Sequence, residues 1–282
     1  VSGGVYSTAA GGKGANQAVA ASRAGARVTL VARVGRDDLG VAAIQGFASE
    51  GIDVRYVIQD AESASGVAFI VVDDAGENCI TVAPGANSRL SESDVHNAAA
   101  AFAECDVVLI QLETPIAAVN EVVRLARQQG VPVILNPAPA PRQALPGSLL
   151  QQIEILTPNE WEAQTLTGIT VRDEPSAAAA ASCLHKMGTP LVIITMGSNG
   201  AFISGKEFQG LSNAFAVAAV DTTAAGDVFN AALAVALSEK RPLREAVRFA
   251  HGAAAISVSR LGAQPSAPFR SEIEEFLQIA GQ

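Results

Sequence analysis

The residues best placed to do chemistry lie in the run Asp221-Thr222-Thr223-Ala224-Ala225-Gly226-Asp227, which opens directly into the apolar stretch Val228-Phe229-Asn230-Ala231-Ala232-Leu233. Small residues and one glycine at the mouth of a helix leave backbone N–H groups unpaired. Those donors and the helix dipole together attract an anion. Asp227 falls in the first helical turn, beside whatever anion binds there. A carboxylate next to a phosphate is unfavourable unless it has a task, and taking the proton of an attacking hydroxyl is one. The competing structural reading is an Asp that caps an ordinary helix.

A second candidate is the loop Gly11-Gly12-Lys13-Gly14-Ala15-Asn16-Gln17-Ala18. Its glycines let backbone approach a polar ligand before the chain enters a helix. It is not a Walker A loop, because Gly14 and not Ser or Thr follows Lys13. Nor is it a dinucleotide fingerprint, since Gln17 occupies the third glycine position. For Lys13 alone, a solvated loop lysine is the competing reading. Glu113 follows the apolar run Val107–Gln111, at the carboxyl end of a strand, where parallel α/β sheets place ligands. Its alternative role is to cap the helix starting near Pro115. Asn136-Pro137-Ala138-Pro139-Ala140 also follows a strand and forms a stiff wall or a rigid turn.

Asn159 and Glu162 lie three positions apart at a strand-to-helix junction, so both face one side of a turn. One carboxylate and one amide suffice to hold Mg²⁺ through its water shell. The same spacing is that of a capping box, and both roles are compatible. Thr195-Met196-Gly197-Ser198-Asn199-Gly200 follows another strand, and its hydroxyl and glycines suit close approach of a phosphate or ribose, or a plain turn.

Taken together, these segments resemble, in order and over nearly the whole chain, the signatures of the phosphofructokinase-B family, the ribokinase-type sugar kinases. The C-terminal run resembles that family's Asp-Thr-x-(Gly/Ala)-Ala-Gly-Asp, which makes Asp227 the catalytic base and Ala225 and Gly226 the anion hole. The glycine loop resembles the N-terminal signature, which places Gly12, Lys13, Gly14 and Asn16 on the sugar, with Glu113 in the same pocket. The resemblance further implies nucleotide contacts at Asn159, Thr195, Gly197, Gly200, Gly226 and His251. It implies Mg²⁺ held through water at Asn159 and Glu162, with Trp161 pointing away. A monovalent cation, K⁺, is implied at Asp221, Thr223, Ser257, Arg260, Gly262 and Ser266, largely through backbone carbonyls.

The implied reaction moves the γ-phosphoryl group of ATP to the 5-hydroxyl of D-ribose. The alternatives are a same-fold kinase for deoxyribose, fructose or a nucleoside, and a non-catalytic sugar-binding module. Val228 stands where Ser or Thr is usual and Ala231 where Gly is common. The family pattern also has a strand and a Gly-x-(Ile/Leu)-Asn-x-Asp segment before the glycine loop. Here few residues precede Gly11; a molecule lacking that segment is expected to bind sugar weakly and to have a destabilised sheet.

The elements that must position these groups are legible as alternating short apolar runs and amphipathic, Ala-rich segments, the pattern of repeated β-α units. Strands are predicted at Val28–Val34, Val107–Gln111, Val131–Asn136, Ile155–Leu156 and Leu191–Thr195. Helices are predicted at Ala15–Ala24, Asp38–Ser49, Pro115–Gln129, Glu160–Leu166, Ala177–Lys186, Asp227–Leu237, Leu243–Arg260 and Ser271–Ile279. Gly25 and Gly130 read as left-handed caps. Val67–Val72 and Asn78–Val82 flank a polar turn and read as a hairpin, as do Phe202–Ile203 and Phe208–Gln209. The expected fold is α/β: a three-layer α/β/α ribokinase-like domain, 1–282, with a mainly parallel central sheet. A small β lid comes partly from 67–82 and the N-terminal residues, and its exposed edge is expected to pair two copies as a homodimer.

Composition fits this reading. The 282 residues are 49% hydrophobic and 17% charged, enough for a sizeable core. No apolar run reaches the roughly 20 residues needed to span a bilayer. A net charge of -9 argues against nucleic acid as a partner, though not against a nucleotide, which needs only local donors. Cys79, Cys105 and Cys183 are widely spaced, as reduced thiols of a cytoplasmic protein are.

Overall fold

The computed structural model of the chain describes residues 8–72, 78–141 and 143–280. The expected lid turn at Asp73–Glu77 and the lid contribution of the first seven residues lie outside the described residues.

The chain begins with α1 (Lys13–Arg23), then β1 (Thr29–Gly35), α2 (Asp38–Ser49) and β2 (Asp53–Asp60). A hairpin follows, β3 (Val67–Val72) and β4 (Asn78–Ala83), then short helices α3 (Glu92–Asn97) and α4 (Ala99–Phe102). Next come β5 (Val108–Ile110), α5 (Ile116–Gln129), β6 (Val133–Leu135), α6 (Gly147–Leu150), β7 (Ile155–Leu156), α7 (Glu160–Thr167), α8 (Glu174–Lys186) and β8 (Leu191–Thr195). The chain closes with β9 (Ala201–Ser204), β10 (Gln209–Ser212), α9 (Ala225–Ser238), α10 (Leu243–Val258) and α11 (Arg270–Ile279).

Six strands form the central sheet in the order β10-β9-β8-β7-β6-β5. Strands β5 to β8 are parallel, whereas β9 and β10 turn back antiparallel. Strands β1 and β2 make a separate parallel pair, and β3 and β4 a separate antiparallel pair. The sheet's side chains alternate between two cores. Val133, Leu135, Leu156, Val192 and Ile194 pack on one face with residues of α5, α7 and α8. Ile134, Ile155 and Ile193 pack on the other with α9 and α10. This alternation explains why the strands read as unbroken apolar runs: both faces are covered by helices. The result is the expected three-layer arrangement.

Several expectations shift. Strand β2 and the helical region from α3 to α4 were not predicted, because their sequences mix charged and apolar residues without a clean period. Helix α1 ends at Ala24, and Gly25 follows at φ 105° as the left-handed residue expected: the N–H of Gly25 donates to the Ser22 carbonyl and that of Ala26 to the Ala21 carbonyl, both at 3.0 Å. Gly130 is the left-handed cap expected. The β3–β4 hairpin, expected as a lid, leaves Phe69, Ile70, Val71 and Val82 exposed. Among the described residues no helix is long and apolar enough to cross a membrane.

Candidate active site

The site forms where the carboxyl ends of four adjacent parallel strands meet the N-termini of α1 and α9. Each strand end carries a polar residue: Gln111 after β5, Asn136 after β6, Thr157 after β7 and Thr195 closing β8. Asn136 and Thr195 line a cleft together with Lys13, Asn159, Glu162, Thr222, Ala224–Asp227 and Asn230.

Helix α9 starts abruptly because Ala224 adopts the left-handed conformation, φ 60° and ψ 10°, a position unusual for a residue with a side chain. The chain turns there and leaves backbone donors facing the cleft. The N–H of Ala225 donates to the Thr222 carbonyl at 3.2 Å. The amides of Gly226 and Asp227 have no partner among the described residues. Of the two amides expected to form an anion hole, that of Ala225 is engaged and that of Gly226 is free, with Asp227 the next free donor. A Cβ on Gly226 would meet nothing within 4 Å, so the space above it is clear for a ligand.

Asp227 is only 5% exposed, yet it lines the cleft. Asn16 Nδ2 donates to its Oδ2 and Gln17 Nε2 to its Oδ1, each at 2.9 Å. It is therefore not the helix cap of the competing reading: no side chain caps α9, and the Asp227 carboxylate is bonded to α1 instead. Burial pushes its pKa up, and the Lys13 ammonium and the Asn16 and Gln17 donors pull it back.

Glu113 settles between its two candidate roles in an unexpected way. Its Oε2 accepts the backbone N–H of Lys13 at 2.7 Å, so it caps α1 rather than the helix after Pro115. Gly12, at φ 93°, brings that amide within reach, and a Cβ there would stand 4.0 Å from the same oxygen. Leu112 N–H donates to the Ala138 carbonyl at 2.9 Å, pinning the proline run beside the Glu113 loop. Burial raises the pKa of Glu113, and Lys13 opposes the rise.

Asn159 and Glu162 form the capping box: Glu162 N–H donates to Asn159 Oδ1 at 2.8 Å, and Asn159 N–H to Glu162 Oε2 at 2.9 Å. That leaves Glu162 Oε1 without a hydrogen bond among the described residues. Glu162 is 5% exposed and faces the cleft, its pKa raised by burial and lowered by Lys13. One uncommitted carboxylate oxygen in a polar cleft fits a Mg²⁺ ion that keeps most of its water. Trp161 is turned outward and 66% exposed. Lys13 lines the same cleft, and its charge lowers the pKa of all three carboxylates, Asp227, Glu113 and Glu162, without a direct ion pair to any of them among the described residues.

The remaining candidates divide. Thr195 lines the cleft, and Gly197, at φ 54°, has open space where a Cβ would stand. Gly200 is required by packing: a Cβ there would collide with the Ser212 carbonyl oxygen. Gly14 sits inside α1, and its missing side chain makes room for Gln111 Oε1, 3.1 Å from where a Cβ would be. His251 is buried against Phe229, outside the residues lining the cleft, with its Nε2 unpartnered. Burial lowers its pKa to about 4, so it is neutral at pH 7.

Of the residues expected around K⁺, Asp221 accepts N–H bonds from Thr223 and Gly262, both 2.8 Å, tying the loop before α9 to the turn after α10. Ser257 and Ser266 are fully buried and 2.8 Å apart. The Arg260 side chain pairs with Glu272, so only its backbone is available to a cation. Asp221, Thr223 and Gly262 form one bonded group and Ser257 and Ser266 another, and none of the six candidates lines the cleft.

Sequence reading missed Gln17, Gln111, Thr157 and Asn230 as site residues. Their signal was a polar residue at the end of a strand run, or alone within an apolar helix, where burial demands a partner.

Comparison with known proteins agrees with this geometry. The chain is 48% identical over 275 residues to the ribokinase of Haemophilus influenzae, covering 98% of this chain and 89% of that one. It is 40% identical over 266 residues to the ribokinase of Staphylococcus aureus, covering 94% and 87%. The structure of Arabidopsis thaliana ribokinase complexed with ribose and ATP superposes with a TM-score of 0.88 at 32% identity, covering 95% and 87%. The model of the pfkB family of carbohydrate kinases matches residues 3–270. With the family model matched over nearly the whole chain and relatives this similar along its length, the chain belongs to the pfkB carbohydrate kinase family.

Proposed function

We propose that this chain is an ATP-dependent kinase that phosphorylates the 5-hydroxyl of D-ribose, giving D-ribose 5-phosphate and ADP. The reading is carried by Asp227, a buried carboxylate held at both oxygens by neutral amides and set at the mouth of α9. Its raised proton affinity suits it to take the hydroxyl proton. The freed oxygen attacks the γ-phosphorus, the bond to the β–γ bridging oxygen breaks, and ADP leaves. The free amides of Gly226 and Asp227 receive the charge on the transferring group, with Lys13 alongside. Asn16 Oδ1 is buried without a partner, an acceptor waiting for a sugar hydroxyl. Gly12, Lys13, Gly14 and Glu113 are the other residues proposed for the sugar pocket.

Thr195 and Gly197 stand where the nucleotide phosphates or ribose would pass. Asn159 and Glu162 are the residues that would hold Mg²⁺, which when bound neutralises phosphate charge. The region of Asp221, Thr223, Ser257, Arg260, Gly262 and Ser266 is our proposed seat for K⁺, its role to fix the loop that feeds the anion hole. The exposed apolar lid residues support pairing of two copies as a homodimer. The unpaired cysteines suit the cytoplasm.

The test is ADP release with ATP, Mg²⁺ and K⁺ across a panel of acceptors. D-ribose should give the highest kcat/KM. A higher value for deoxyribose, fructose or a nucleoside would replace ribose with that acceptor, and no turnover with any sugar would leave a binding module.

A further inference from the structure

The base is held by a side chain that never reaches the substrate. Gln17 is 2% exposed, and its hydrogen-bonding groups are committed to protein. Its Nε2 donates to Asp227 Oδ1 at 2.9 Å and to Asn136 Oδ1 at 3.1 Å. Its Oε1 accepts from Gln111 Nε2.

The direction of this amide is dictated from a distance. Asn136 Nδ2 lies 2.9 Å from the Thr157 carbonyl, a group that only accepts. Asn136 must therefore turn its nitrogen to Thr157 and its oxygen to Gln17. Gln17 must then present its nitrogen to Asn136, and the same nitrogen reaches Asp227. Gln111 seals the arrangement from the other side, and Gly14 gives it room. Strand ends β5, β6 and β7 thus fix the rotamer of Gln17, and Gln17 fixes the carboxylate.

We infer that Gln17 is a positioning residue for phosphoryl transfer, orienting Asp227 so that one oxygen stays aimed at the sugar hydroxyl. A neutral amide does this without cancelling the negative charge the base needs, as an arginine or lysine in the same place would. The other charged groups facing Asp227 are Lys13 from α1, Glu113 after β5 and Glu162 on α7, and none of them bonds the carboxylate directly. This inference rests on the phosphotransfer reading above.

The experiment compares wild type with Gln17→Met, which keeps the volume and removes both donors. Wild-type turnover is measured alongside; its absence would count against phosphotransfer itself. With wild type active, Gln17→Met should lower kcat about 10–100-fold while KM for ATP stays within about twofold. The acidic limb of its kcat profile should move to higher pH, because a donor to the charged form has gone. A kcat and acidic limb like wild type would overturn the role, as would a loss confined to the KM for sugar. If Gln17→Met does not fold by circular dichroism, Gln111→Met decides. Freeing the Gln17 amide to rotate should lower kcat in the same direction by a smaller factor, and an unchanged kcat would overturn the inference.

Discussion

Asn16 Nδ2 donates a hydrogen bond of 2.9 Å to Oδ2 of Asp227, joining residues 211 positions apart. The oxygen of the same amide is buried with no hydrogen-bond partner among the described residues. On the function proposed above, this one side chain would steady the base and accept a sugar hydroxyl.

Asn16→Ala removes both functions. Its KM for ribose should rise about tenfold or more, since a lost hydrogen bond of this kind costs roughly 1–3 kcal/mol. Its kcat should also fall. Steady-state kinetics with ribose varied at saturating ATP checks this, and unchanged KM would remove Asn16 from the sugar pocket.

Asp227→Asn keeps the shape of the site and removes the proton acceptor. Turnover should drop by ~10²–10⁴-fold. ATP binding, measured by calorimetry without sugar, should stay near wild type. Near-normal turnover would take the base role from Asp227.

The pH profile follows from the direction of the Asp227 shift. Burial raises its pKa, and only the ionised form accepts a proton, so activity should be lost as pH falls through a value above the ordinary 3.8. Lys13 pulls that value down. Lys13→Met should therefore move the acidic limb of kcat further upward. A downward or absent movement would mean that Lys13 does not act on the base.

Two glycines should respond oppositely to alanine. Gly200→Ala forces a Cβ against the Ser212 carbonyl at φ 93°, and strain of this kind costs about 1–3 kcal/mol in thermal unfolding. Gly226→Ala meets open space, so stability should change by no more than about 0.5 kcal/mol. Its methyl group would occupy the phosphate position and weaken ATP binding.

Glu162→Gln separates the two roles of the capping box. A glutamine carbonyl still accepts the Asn159 N–H, so melting should be nearly unchanged. The Mg²⁺ concentration needed for half-maximal activity should rise. Asn159→Ala, by contrast, should cost about 0.5–2 kcal/mol of stability.

Much of this was readable in the sequence because it is local. The helix mouth before Asp227, the apolar strands, the capping spacing of Asn159 and Glu162 and the glycine loop all depend on neighbours within a few residues. Tertiary structure decided what depends on distant partners. It assigned Glu113 to the N-terminal end of α1, brought Lys13 into the cleft with Asp227 and Glu162, spent the Ala225 amide on Thr222 and packed Gly200 against Ser212. It also assembled Gln17, Gln111, Asn136 and Thr157 into one polar chain. Hydrogen bonds of buried side chains are set by which strand ends lie side by side, and sheet order is a property of the folded chain that no local spacing encodes.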